Sequence, residues 1–142
     1  MTTSQKTLAG VCVLLSACST LWASAADWTA PESAAQQKNP VAADAKSLAR
    51  GKELYVEECA DCHGEKGRGD GQAAASLPKR PADLAQKTRQ SDGALFWKIT
   101  EGKKPMPRFA KRLTDEDRWN LVNYIRTFVP QGSTGTRQGE KT

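Results

Sequence analysis

Residues 59–63 read Cys59-Ala60-Asp61-Cys62-His63, and the reading of the whole chain works outward from this pentapeptide. Two cysteines three apart can form a disulfide, a redox-active pair, half of a zinc site or an attachment point for a porphyrin. A zinc site needs a second pair of Cys or His ligands. The chain has one histidine and four cysteines, and the other two, Cys12 and Cys18, fall near the N-terminus. A redox-active pair of the thioredoxin kind follows a strand and opens a helix, and nothing upstream of Cys59 reads as a strand. The pair is followed directly by the single histidine, and this decides between the alternatives. Two thiols at this spacing on a tight turn can each add to one vinyl group of a porphyrin. The next residue then sits under the iron with a neutral imidazole, which is the logic of C-x-x-C-H as a c-type haem attachment.

His63 supplies one axial ligand, and an electron carrier benefits from an iron closed on both faces. Apart from the initiator, the chain has one methionine, Met106. It stands between Pro105 and Pro107, which restrict φ, remove backbone donors and stiffen a loop able to hold a sulfur in place. Methionine also serves as a flexible gap-filler in cores. A methionine between prolines, inside a run of Lys and Arg, is an unusual core residue. The expected site is therefore Cys59 and Cys62 as thioether attachments, with His63 and Met106 on the iron.

The flanking sequence predicts an all-α fold of three to four helices. Residues 44–58 are good helix formers, with Leu48, Gly51, Tyr55 and Cys59 at three- and four-residue steps. Thr114 followed by Asp115, Glu116 and Asp117 gives an N-cap with an acidic first turn. A helix follows through Trp119, Leu121, Val122, Tyr124, Ile125 and Phe128, with Pro130 as its stop. Gly51 would let these two helices approach closely, with Tyr55 against Leu121 and Ile125. A shorter helix over 92–100 carries Leu95, Phe96 and Ile99, is capped by Ser91 and ends at Gly102. Between them Gly64, Gly67, Gly69 and Gly71 make a glycine-rich stretch. A phosphate loop needs a preceding strand and a Lys-Ser/Thr ending, and a calcium loop needs more oxygen ligands. The glycines instead let the backbone wrap the edge of the haem. A carbonyl in this region, with Pro81 favoured, should accept the Nδ1–H of His63 and fix its tautomer.

The formal charge of the 142-residue chain is +5, which raises nucleic acid as a partner. Acidic residues are interspersed through most of the chain, so no nucleic-acid reading is drawn. One stretch is one-sided: residues 102–114 hold Lys103, Lys104, Arg108, Lys111 and Arg112 with no acid. Such a run ordinarily forms a solvated face. Residues 1–25 read as a signal peptide, with Lys6, an apolar run over 8–15 and small residues Ala23-Ser24-Ala25 at a cleavage position. Leu15-Ser16-Ala17-Cys18 also resembles a lipobox, so acylation of Cys18 stands as an alternative that would tether the protein to a membrane. Trp28, just after the leader, favours cleavage after Ala25. Residues 26–43 form an N-terminal extension that is linker-like in composition, although Trp28 and Asn39-Pro40 point to contact with the domain surface. The haem-bearing domain spans 44–130, and 131–142 is a polar tail expected to be disordered.

CADCHGEKGRGDG, RPADL, SDGALFWKITEGKKPMPRF and LTDEDRWNLVNYIRTF together resemble the class I monohaem bacterial cytochromes c. The resemblance covers 44–130 and implies the cytochrome c fold around one covalently bound haem c, with His63 and Met106 as axial ligands. It also implies periplasmic maturation and a role as a single-electron carrier rather than an enzyme. In such folds the exposed haem edge lies near the methionine loop, so the five basic residues could steer an acidic redox partner. A permanently bound cytochrome subunit of a periplasmic dehydrogenase or oxidase is the second reading. A haem enzyme or gas sensor, which needs an open iron position, is the third.

Overall fold

The computed structural model describes residues 28–128. The leader with Cys12 and Cys18, the cleavage position after Ala25, Pro130 and the tail 131–142 lie outside the described residues. In chain order the elements are α1 (Glu32–Ala35), α2 (Ala45–Glu58), α3 (Ala60–His63), a 3-10 turn (Gln72–Ser76), α4 (Leu84–Lys87), α5 (Asp92–Glu101) and α6 (Asp115–Arg126). No strand occurs among the described residues, where an isolated bridge joins Lys103 and Met106. The fold is all-α, as expected. The three long helices stand where the periodicity put them. The one-turn helices α1, α3 and α4 were not foreseen, because four residues carry too little periodic pattern to read.

Each long helix starts at a side-chain cap. Asp44, Ser91 and Thr114 accept from the N–H groups of Ser47, Ala94 and Asp117, satisfying donors that a helix start otherwise leaves orphaned. α2 and α6 then pack face to face. Their contact is set by Gly51, where an added Cβ would lie 2.2 Å from the Asn120 carbonyl oxygen and 2.8 Å from the Cβ of Tyr124. Leu54, Tyr55, Leu121 and Val122 are the largest fully buried side chains. The ring neighbours of Tyr55 are Tyr124 and Phe128, with centroids 5.4 and 5.1 Å away. Leu121 and Ile125 belong to the same buried cluster.

α6 ends at Arg126, earlier than a stop at Pro130 implies. Thr127 turns the chain, its hydroxyl donating to the Tyr124 carbonyl at 2.7 Å, and Phe128 folds back onto Tyr55. Arg126 fastens this end by donating to the carbonyls of Thr88 and Gln90 and to the Asp92 carboxylate.

The segment ahead of α2 lies along the domain. The Trp28 ring is 6.3 Å from Trp97, with Lys98 Nζ 5.4 Å over Trp28. The Ala34 carbonyl sits where a Cβ on Gly93 would be. Asn39 Nδ2 donates to Asn123 Oδ1 at 2.8 Å, and Asn123 Nδ2 donates to Ser47 Oγ at 2.8 Å and to the Val41 carbonyl at 3.1 Å. Asn123 is buried, and this set of partners offsets the desolvation of its amide.

Candidate functional site

The C-terminus of α2 delivers the pentapeptide. The N–H of Cys59 donates to the Tyr55 carbonyl at 2.9 Å, and the Cys59 carbonyl accepts from the N–H groups of Cys62 (3.2 Å) and His63 (2.8 Å). Cys59 thus closes one helix and opens the single turn of α3. Positions i, i+3 and i+4 of a turn lie on one side of it, so Cys59, Cys62 and His63 share a face. Both cysteines are half-buried, and neither is joined in a disulfide.

His63 Nδ1 lies 3.1 Å from the Ala82 carbonyl oxygen. With the proton assigned to Nδ1 as donor, Nε2 keeps its lone pair for a metal. The acceptor is therefore Ala82 and not the favoured Pro81. The Pro81 carbonyl points the other way, against Gly69, where a Cβ would lie 2.2 Å from its oxygen. Residues 81–83 are non-helical, and consecutive carbonyls of an extended chain face opposite sides. Burial pushes the imidazole below its ordinary pKa and the Ala82 carbonyl pulls against that shift. The ring is thereby kept in the neutral form that ligates metals.

Burial, with smaller contributions from Glu58 and Cys62, pushes the Cys59 thiol up to about 12. Dithiol redox centres depend on a lowered thiol pKa, so the environment of Cys59 argues against that alternative. Among the described residues no group of three or more His, Cys, Asp or Glu could hold a metal ion.

The glycine loop closes under the turn. The N–H of Gly69 donates to the His63 carbonyl at 2.8 Å, and the buried Tyr55 hydroxyl donates to the Gly64 carbonyl at 2.7 Å. Gly64 has φ +77°, a conformation L side chains rarely adopt, and Asp70 Oδ1 occupies the place of its absent Cβ. The sequence marked Tyr55 as a helix contact. Its second role, as a hydroxyl holding the residue after His63, depends on a turn whose path cannot be read from spacing.

Met106 arrives on a separate element, the hairpin between α5 and α6. Its N–H donates to the Lys103 carbonyl at 3.0 Å, and the hairpin is closed where the Phe109 N–H donates to the Ile99 carbonyl at 3.2 Å. Met106 and Cys59 are both partly buried against the same hydrophobic cluster. Two thiols, a neutral imidazole with a free nitrogen and a half-buried thioether are a donor set that fits an iron porphyrin.

The basic run differs from a field of five free cations. Arg108 Nη2 is 2.6 Å from Glu101 Oε2, and Arg112 Nη2 is 2.6 Å from Glu58 Oε2. Both acids lie outside residues 102–114, so the sequence run concealed them. Lys103, Lys104 and Lys111 are exposed.

Residues 46–125, more than half of the chain, match the family described as cytochrome C oxidase, cbb3-type, subunit III. The chain is 35% identical over 94 residues to a cytochrome c6 of Thermosynechococcus vestitus, an alignment covering 66% of this chain and 81% of that protein. It is 34% identical over 88 residues to a cytochrome c6 of Parathermosynechococcus lividus, covering 62% of this chain and 98% of that one. Among solved structures, a chain of the Kuenenia stuttgartiensis reducing HAO-like protein complex is similar, with a TM-score of 0.59 and 34% identity over 63% of this chain. The match covers 47% of that solved chain, so the present protein spans about half its length. With the helical fold, the C-x-x-C-H turn and these relatives in agreement, the chain belongs to the cytochrome c family.

Proposed function

We propose that this protein is a periplasmic single-electron carrier, with one haem c joined to Cys59 and Cys62 and its iron held by His63 and Met106. The observation that carries the reading is the α3 turn, which puts both thiols and the imidazole on one face with Nδ1 engaged by Ala82. When bound, the haem supplies the one-electron couple. The protein's part is positional. Ala82 fixes the ring and tautomer of His63, Tyr55 and Gly69 brace the turn beneath it, and the Met106 hairpin brings a thioether that favours the ferrous state. No side chain is assigned to a bond-making step, and the proposal is of a carrier and not an enzyme. Similarity to cytochromes c6 supports it.

A second reading is favoured by two matches: the matched family is described as an oxidase subunit, and the solved neighbour belongs to a complex. In that reading the same haem domain is held permanently by a dehydrogenase or oxidase, and co-purification with a larger partner from native membranes or periplasm distinguishes it. No helix among the described residues is long and apolar enough to cross a membrane. Export through 1–25 with cleavage after Ala25 is favoured, and lipidation at Cys18 is the alternative that mass spectrometry of the mature N-terminus separates. The test of the haem assignment is a pyridine haemochrome assay on the matured protein. It should return one c-type haem per chain, and Cys59→Ser with Cys62→Ser should return none. A stoichiometry near two, or haem retained without either thiol, rejects the assignment.

Lys103, Lys104 and Lys111 are proposed to steer an acidic redox partner toward the haem that Cys59, Cys62, His63 and Met106 would hold. Reduction by the physiological donor should slow about tenfold at low ionic strength when Lys103→Glu and Lys104→Glu are combined, and its dependence on salt should flatten. A rate indifferent to both the charge reversal and the salt concentration removes steering from the account.

A further inference from the structure

The hairpin that carries Met106 and the helix that delivers Cys59 are distant in the chain, and one ion pair joins them. Arg112 Nη2 lies 2.6 Å from Glu58 Oε2 and 2.8 Å from Glu58 Oε1. Glu58 is the last residue of α2, directly before Cys59, and its side chain is only 12% exposed. A carboxylate so far withdrawn from water is costly without a partner. The Arg112 guanidinium also lies over the Phe109 ring, 5.6 Å from its centroid. Phe109 and Leu113 are buried, and the N–H groups of Arg112 and Leu113 both donate to the Phe109 carbonyl at 3.0 Å. The turn 109–113 is thus one braced unit directly after the Met106 hairpin. Two apolar side chains fix it to the core, and the ion pair fixes it to the end of α2.

Arg108 is a different case. Its partner Glu101 is on the other stem of the same hairpin, and both side chains are exposed, at 67% and 37%. That pair is local and open to screening by salt. It serves as an internal comparison.

We propose that Arg112, through Glu58, holds the Met106 hairpin closed against the haem-attachment turn, and is a positioning residue for the sixth ligand rather than part of the docking surface. The proposal rests on the reading of Met106 as that ligand. A thioether is a weak neutral ligand that competes with added bases. Its hold on a metal therefore depends on how often the hairpin swings away, which is a local opening equilibrium. Removing the ion pair shifts that equilibrium without removing the sulfur.

The test is an imidazole titration of the matured ferric protein, following the sulfur-to-iron charge-transfer band. Arg112→Gln and Glu58→Gln should each bind imidazole about fivefold more tightly than the unmodified protein. Combining them should add little further, because both remove the same interaction. Arg108→Gln should change the affinity less than twofold. Unaltered imidazole binding in Arg112→Gln overturns the proposal, even where the guanidinium unfolding midpoint falls, since that pattern marks a merely structural pair. Strict additivity of the two single effects overturns it as well. Should Arg112→Gln fail to mature, Glu58→Gln decides by the same criterion. An unmodified ferric protein lacking the charge-transfer band rejects Met106 ligation, and the proposal with it, before any variant is made.

Discussion

A Gly51→Ala variant should lose about 3 kcal/mol of stability, which for a domain of this size lowers Tm by roughly 15 °C. The sign is not obvious from local preferences, because alanine in a helix interior is ordinarily favoured over glycine by about 1 kcal/mol. Contact across the α2–α6 crossing decides it. The added methyl would meet the Asn120 carbonyl oxygen at 2.2 Å and the Tyr124 Cβ at 2.8 Å. Neither atom can rotate aside, since one is backbone and the other is fixed to it. The helices must separate, and the strain reaches Asn123 one turn along, whose amide bridges α6 to Ser47 and to the carbonyl of Val41. Overpacking at such a site costs more than the helix preference returns. Guanidinium unfolding followed by far-ultraviolet circular dichroism measures the effect. A variant within about 0.5 kcal/mol of the parent would mean that the helices do not meet at this residue.

Met106→Ala should convert a closed iron site into an open one. The ferric protein should lose its sulfur-to-iron charge-transfer band, the ferrous protein should bind carbon monoxide to full stoichiometry, and the reduction potential should fall, because the thioether is what favours the ferrous state. The fold should persist. Met106 is only half-buried, on a hairpin whose closure lies in the Phe109–Ile99 backbone contact and not in the methionine. Spectroscopy, carbon monoxide titration and potentiometry on the same sample separate the ligand's role from any loss of structure. Carbon monoxide binding by the unmodified ferrous protein at neutral pH, as ready as in the variant, would sink the assignment and revive the gas sensor or haem enzyme.

Much of this was legible in the chain before folding was considered. Cys59, Cys62 and His63 fall on one face because covalent spacing and the helical repeat fix it. Ser91 and Thr114 cap helices because a side-chain oxygen can reach an N–H three residues on, whereas Asp44, read as the first residue of its helix, is the cap of α2. The uniqueness of His63 and of Met106 beyond the initiator is a matter of composition, and it narrows the candidate ligands without any coordinates. Gly51 was readable as a close approach, since a lone glycine on an otherwise apolar face has few other uses.

What spacing could not supply was direction over distance. The Ala82 carbonyl rather than that of Pro81 accepts from the imidazole Nδ1–H because the path of residues 80–83 past Gly69 turns one carbonyl away and the next one in. Arg108 and Arg112 looked like free charge because their acids, Glu101 and Glu58, lie outside the basic run, the second of them 54 residues away. Trp28 and Asn39 marked the segment ahead of α2 as lying on the domain surface, but not that its hold would come from Asn123, more than eighty residues after Asn39. Sequence by itself determined the C-x-x-C-H turn and the helical frame, since both rest on contacts within a turn or two of chain. Tertiary structure alone decided which carbonyl orients the histidine and which arginines of the basic run pair with acids, since those contacts exist only once distant segments have been brought together.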